Sequence, residues 1–324
     1  MGYGSFDTSA YDAAKAFRKA SGTPDFGYNA SMSAMPHHSR RVAPELDPKG
    51  ATREARDSAE HPESVPIIVL FDVTGSMRRV PQVMQTKLGQ LFGLLQRKGY
   101  VAHPQIMFGA IGDADTDRAP LQVGQFESDN RMDEQLRTIY LEGGGGGQQE
   151  ESYELAAYFI ARHTVTDAWD RRGRRGYCFI IGDEMNKKRV SARRVAEVIG
   201  DDIGEDLSVK GIWSEVFEKW DTYYVLPNQS SYFDDPKIEE HWKGIFGQNF
   251  LRLDDPAAVC ELIALTIGLG EDNIDLDEGL DDLKEIGSAA GSSVSKALAT
   301  VGAGRGRAVA SRLPDGLDTG DDIA

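Results

Sequence analysis

The sequence predicts an α/β fold, a doubly wound and mostly parallel sheet with one antiparallel edge strand. Three observations predict it. Short apolar runs bounded by turn residues alternate with segments of helical spacing. Three of those runs end on acids: "PIIVLFD" at Asp72, "PQIMFGAIGD" at Asp113 and "GYCFIIGD" at Asp183. The run "LQVGQF" follows the second of them after a short polar turn, which predicts a hairpin and so an antiparallel edge. Ligands of such sheets gather beyond the carboxyl ends of the strands. Parallel strands would therefore bring the three acids to one edge.

Residues 1–64 are polar and rich in Gly, Ser, Ala and Pro. "YDAAKAFRKA" suits a short helix. The rest, through "HHSRRVAPELDPKGATREARDSAEHPES", has no sustained period and is expected to be an extended arm, partly ordered against the domain. The domain itself is expected over 65–270. It opens on "PIIVLFD", an apolar run that reads as a fully buried strand. "PQVMQTKLGQLFGLLQRKG" follows as a helix, with Val83, Leu88, Leu91, Leu94 and Leu95 at helical spacing and Lys98-Gly99 at its end. After the hairpin, "RMDEQLRTIYLE" is a helix running into five glycines, Gly143 to Gly147.

"EESYELAAYFIARHT" is a helix with acids in its first turn. Beyond "GYCFIIGD" come helices at "SARRVAEVIG" and "EDLSVKGIWSEVFEKW" and a strand at "DTYYVLP". Helix "IEEHWKGIFG", strand "QNFLRL" and helix "PAAVCELIALTIGLG" complete the domain. From residue 271 to 324 the chain is acid-rich, then small and polar. That composition predicts a flexible tail, with a weak helix around "LDDLKEIG".

The chain has 324 residues and a formal net charge of -16. Such an acidic chain lacks the clustered bases that phosphate contacts need, which argues against nucleic acid. Cys178 and Cys260 both lie in apolar runs and are expected to be buried free thiols, fitting a reducing compartment. The N-terminus shows no apolar signal region, and Phe6 stands where a myristoylation site needs Ser or Thr. No run has the apolar length of a membrane span. The expected location is cytoplasmic.

The stretch "DVTGS" places Asp72, Thr74 and Ser76 at alternate positions after a strand. One carboxylate and two hydroxyls aimed at one spot make a hard oxygen site suited to Mg2+ or Mn2+. Taken alone, the same residues are also ordinary turn formers and helix caps. Other candidates have plainer readings. The acids of "GDADTD" lack the glycine and distal Glu of an EF-hand and read as a solvated hairpin tip, with Asp113 the one nearest a metal. Arg171 to Arg175 read as a solvated loop, or as a dock for an acidic partner or for the acidic tail. His37-His38 reads as a solvated pair, and His163 as packing or capping.

"DVTGS" resembles the Asp-x-Ser/Thr-x-Ser motif of von Willebrand factor A domains. Two further elements of that family follow in order: a Gly-rich loop opening a helix, "GGGGGQQEES", and an Asp after the next buried strand, Asp183 in "FIIGDE". The likeness covers about residues 66–268 and is nearest to A-type domains linked to atypical, alpha-type kinases. It implies a Rossmann-like fold with a metal-ion-dependent adhesion site. One divalent cation, Mg2+ or Mn2+, would be held by Asp72, Thr74, Ser76 and Asp183. The family usually has Thr, or Asp in the kinase-linked branch, where this chain has Gln148. Gln148 offers a carbonyl oxygen without charge, and Glu151 is placed to reach the ion through water.

The resemblance implies protein recognition, with an Asp or Glu of a partner completing the ion's shell. Such a partner would be, for example, an AAA-type ATPase or a signalling enzyme. The chain shows no Ser-His-Asp or Cys-His set and no G-x-x-x-x-G-K loop, so catalysis is not expected. The competing reading is a haloacid-dehalogenase-like phosphotransferase, with Asp72 as nucleophile and "GDEMN" as its Mg2+ loop.

Overall fold

The computed structural model describes residues 4–77, 79–144, 149–299 and 301, apart from the side chains of residues 76 and 231. The amino-terminal part contains α1 (Thr8–Ser21), α2 (Gly27–Ser33) and β1 (Arg53–Ala55). Then come β2 (Val65–Asp72), α3 (Arg79–Phe92), β3 (Pro104–Ile111), β4 (Leu121–Val123) and α4 (Arg131–Thr138). The middle holds β5 (Glu150–Glu151), α5 (Tyr153–Arg162), β6 (Thr164–Thr166), α6 (Asp167–Arg172) and β7 (Gly176–Ile181). Next are β8 (Met185–Asn186), β9 (Arg189–Val190), α7 (Ala192–Val198), β10 (Leu207–Ser208) and α8 (Val209–Lys219). The chain continues through β11 (Trp220–Pro227), α9 (Pro236–Phe246), β12 (Phe250–Leu253) and α10 (Val259–Gly270), then α11 (Leu276–Glu285) and α12 (Gly291–Leu298).

The six-stranded sheet has the order β12-β11-β7-β2-β3-β4. All neighbours are parallel except β3 and β4, which pair antiparallel, as the hairpin reading required. Every residue of β2 is buried, because helices cover both faces. Its pleat alternates between them: Ile67, Val69 and Phe71 enter one core, Ile68 and Leu70 the other. The first core lies under α3 and α10, the second under α5, α8 and α9. The helix at α3 runs on through a π-helical turn, Gly93–Arg97, before Gly99 reverses the chain at φ 76°.

The N-terminal arm is docked. Asp7 caps α1 by accepting from the Ser9 and Ala10 amides. Phe6 stacks on Phe92 with centroids 4.6 Å apart, and the Tyr11 ring lies over Gly89, where an added Cβ would stand 3.3 Å from it. Each such aromatic contributes about 1.5–3 kcal/mol by leaving water. Arg18 pairs with Asp133 at 2.9 Å, tying α1 to α4, and β1 pairs parallel with β6.

The flexible tail expected from residue 271 is corrected over residues 271–299. Those residues form α11 and α12, packed on the first core through Leu283, Ala290, Val294, Ala297 and Leu298. The weak helix expected around "LDDLKEIG" falls within α11, but the acidic composition hid that Leu276, Leu280 and Leu283 pack one face of it on the domain. The acids have specific uses. Asp275 and Glu278 form a capping box, and Asp282 accepts from Tyr100 at 2.9 Å and pairs with Lys98 at 2.9 Å. Buried Glu261 accepts from Lys87, Gln90 and Ser288, linking α3, α10 and the segment before α12. The part of the expected tail from residue 302 lies outside the described residues.

The run Arg171 to Arg175 is likewise not simply solvated. Arg172 bonds Asp57, and Arg174 bonds Glu271 at the start of the acidic segment. Arg175 reaches Asp221 at 3.3 Å. Both cysteines are free and buried, and burial pushes both thiols up. Among the described residues no helix is long and apolar enough to cross a membrane.

Candidate functional site

The chain leaves β2 toward β3 and β4, then returns to the other side of β2 as β7. The sheet therefore has its switch point between β2 and β7, where the crevice of an open α/β sheet lies. Asp72 ends β2, and Phe71 pairs with Ile181, the last residue of β7. Gly182 and Asp183 follow directly, so Asp72 and Asp183 meet at this crevice. Both are fully buried.

Asp72 is held from two directions. Its Oδ1 accepts the Thr74 amide at 2.6 Å, and its Oδ2 accepts the Tyr153 hydroxyl at 3.0 Å. Tyr153 opens α5, and its ring lies edge-on to Tyr224 and Trp242. The contact depends on Gly182: a Cβ there would lie 2.0 Å from the Tyr153 oxygen. Burial, and then the charge of Asp183, pushes the Asp72 carboxyl up to about 7, against the pull of the Thr74 and Tyr153 bonds.

The glycine loop closes over the turn after β2. The Gly75 amide donates to Gly144 at 2.9 Å, and the Gly143 amide donates to Val73 at 3.1 Å. Gly143 has φ 66°, and a Cβ on Gly144 would stand 2.6 Å from Asp117. The left-handed φ of Gly143 favours glycine, and a side chain on Gly144 would have to displace the Asp117 carboxylate. Gly145 to Gly147 and Gln148 lie outside the described residues, as does the side chain of Ser76. The loop re-emerges as β5, which pairs parallel with β8 and sets Glu151 beside the segment following Asp183.

This brings two further carboxyls to the crevice. Glu151 is 1% exposed, and burial followed by the charges of Asp72 and Glu184 pushes it up to about 11. Glu184 is pushed up to about 8 by burial, then by Asp72 and Asp183. The Glu184 carboxyl lies within hydrogen-bond reach of Glu151, and the Thr74 side chain lies against Asp72. Carboxyl and hydroxyl oxygens crowded together in a buried crevice form a donor set that a hard cation satisfies. Among the described residues, no three or more His, Cys, Asp and Glu side chains are arranged as a metal cluster. An ion here would rest on a mixed set of carboxylate and hydroxyl oxygens.

Asp113 lies on the same edge but serves a different role. It pairs with Lys187 at 3.0 Å and accepts the Asp115 amide at 2.9 Å. The hairpin tip is organised rather than solvated: the Asp117 carboxylate accepts the Asp113 amide at 2.8 Å. His163 caps α5 and lies 2.7 Å from Asp201. His37 and His38 are exposed on a short turn. Tyr153 and Gly182 carry no local sequence pattern that marks them. Only the "GDE" of the strand end hinted at Glu184.

No known protein-family profile matches the chain, and no curated protein does. Solved structures are similar to it at low identity. A pilus adhesin, SpaC from Lactobacillus rhamnosus GG in its open conformation, aligns at 11% identity over 68% of this chain and 31% of its own, with a TM-score of 0.41. Proximal thread matrix protein 1 from the mussel byssus aligns at 10% over 67% of this chain and 48% of its own, with a TM-score of 0.39. A von Willebrand factor type A structure from Catenulispora acidiphila aligns at 11% over 64% of this chain and 42% of its own, with a TM-score of 0.38. In each case the chain spans less than half of the other protein's length. The strand order, not these alignments, establishes the fold.

Proposed function

We propose that this chain is a non-catalytic protein-recognition module, which binds a partner's Asp or Glu through one Mg2+ or Mn2+. Asp72, Thr74, Ser76 and Asp183 hold the ion, and Gln148 or a water from the glycine loop completes the protein's share. The observation that carries the reading is the meeting of two fully buried carboxyls, Asp72 and Asp183, at the switch point, with the Thr74 side chain beside Asp72. The order of "DVTGS", the Gly-rich loop and Asp183 supports it, being that of the von Willebrand factor A motif. Bound, the ion supplies an electrophilic position for an incoming carboxylate.

The chain's own residues prepare that position. Tyr153 and the Thr74 amide fix the rotamer of Asp72, and Gly182 leaves room for Tyr153. Water-proton relaxation of the Mn2+-loaded protein tests the reading. Titration with N-acetylglutamate should displace bound water and lower the relaxation rate. An unchanged rate would contradict carboxylate capture.

A further inference from the structure

We propose that His61 and His103 form a second metal site, selective for a borderline ion such as Zn2+, that staples the N-terminal segment to the domain. It lies outside the crevice and stands independently of the reading above. Of the chain's six histidines, these two face each other, with His61 Nδ1 3.3 Å from His103 Nδ1. That separation serves a shared proton and equally spans a shared ion. Two imidazole nitrogens each about 2.0–2.1 Å from a tetrahedral Zn2+ stand about 3.3 Å apart.

The tautomer supports the same conclusion. His61 Nε2 lies 2.7 Å from the Gly4 carbonyl oxygen, which can only accept. The proton therefore sits on Nε2, and the Nδ1 lone pair points at His103. A ring that donates its far N–H to a backbone carbonyl is the usual orientation of a metal-bound histidine. Burial lowers the pKa of His103, favouring its neutral, ligating form. The surroundings are acidic: Glu60 Oε2 accepts the Gly4 amide at 2.6 Å, and the charge of Glu63 acts on His103.

Access and consequence follow from burial. His61 is 3% exposed, whereas His103 is only half-buried, so an ion enters on the His103 side. Among the described residues no third His, Cys, Asp or Glu completes a cluster, which leaves the remaining positions to water. Two imidazole ligands favour Zn2+, Ni2+ or Cu2+ and discriminate against Mg2+. An ion bridging them ties the loop before β2 to the start of β3. Through Gly4 it also fixes the strand of chain that leads to Phe6, which is stacked on Phe92.

Calorimetry with Zn2+ on the chelator-stripped full chain, with excess Mg2+ present to fill hard-oxygen sites, tests the proposal. One Zn2+ should bind per chain. His103→Ala, and separately His103→Asn in case the first misfolds, should weaken it at least about tenfold. A His37→Ala/His38→Ala double variant should bind as wild type does. Zn2+ should also slow tryptic cleavage at Lys15, Arg18 and Lys19 in wild type but not in the His103 variants. Absence of Zn2+ uptake, or uptake unchanged in folded His103 variants, would overturn the proposal and leave a proton-sharing histidine pair.

Discussion

The Tyr153 hydroxyl donates to Asp72 Oδ2 at 3.0 Å, joining the first turn of α5 to the last residue of β2. Both groups are fully buried, so the bond has no water to replace it. Tyr153→Phe removes the donor and leaves a buried carboxylate oxygen under-satisfied. The expected cost is about 1–3 kcal/mol in chemical denaturation. Mn2+ should bind more weakly because the Asp72 rotamer is no longer fixed. A variant of wild-type stability and Mn2+ affinity would show that the bond orients nothing.

Gly182 is predicted to tolerate no side chain. A Cβ would lie 2.0 Å from the Tyr153 oxygen and 2.7 Å from the ring carbon bearing it. Gly182→Ala should therefore displace Tyr153 and destabilise by about 1–3 kcal/mol, the usual range for overpacking. In the Tyr153→Phe background the same substitution should cost less, because the clashing oxygen is gone. Equal costs in the two backgrounds would place the strain elsewhere.

The acidic segment is predicted to be part of the folded unit. Leu283 on α11 is fully buried in the core under α10. Leu283→Ala should cost about 2–5 kcal/mol, and deletion from residue 271 should lower Tm sharply. A deletion that melts with the full-length chain would restore the reading of residues 271–299 as a dispensable tail.

Stability should fall with rising pH in a way that Glu154→Gln blunts. Burial pushes the Glu154 carboxyl up to about 8, from an ordinary value of 4.5. The fold binds that proton more tightly than the unfolded chain does. Its contribution is therefore fully present below about 4.5 and is lost as pH rises toward 8. Tm measured from pH 5 to pH 9 should decline more in wild type than in Glu154→Gln. Parallel curves would mean that Glu154 is ionised in the fold at neutral pH.

The strands were legible because burial on both faces leaves an uninterrupted apolar run, as in "PIIVLFD", and the hairpin because its turn is short and polar. The meeting of Asp72 with Asp183 followed from strand ends plus the parallel rule. Other features were not legible because they depend on pairs far apart in sequence. Tyr153 reaches Asp72 across 81 positions, and Gly182 shows its purpose only once Tyr153 is in place. Arg174 read either as part of a solvated basic run or as a dock for the acidic tail, and the choice had to wait for the fold to bring Glu271 to it. In α11 the leucine spacing was present but outweighed by the acids around it, which serve caps and ion pairs instead of marking disorder.

Asp72 is the proposed metal ligand on which the recognition role depends. Isothermal calorimetry with Mn2+ on wild type and on Asp72→Ala tests it most directly, with circular dichroism confirming that the variant is folded. One Mn2+ should bind per wild-type chain, and none detectably to folded Asp72→Ala. Equal Mn2+ binding by the two proteins, or no binding by wild type, would contradict it.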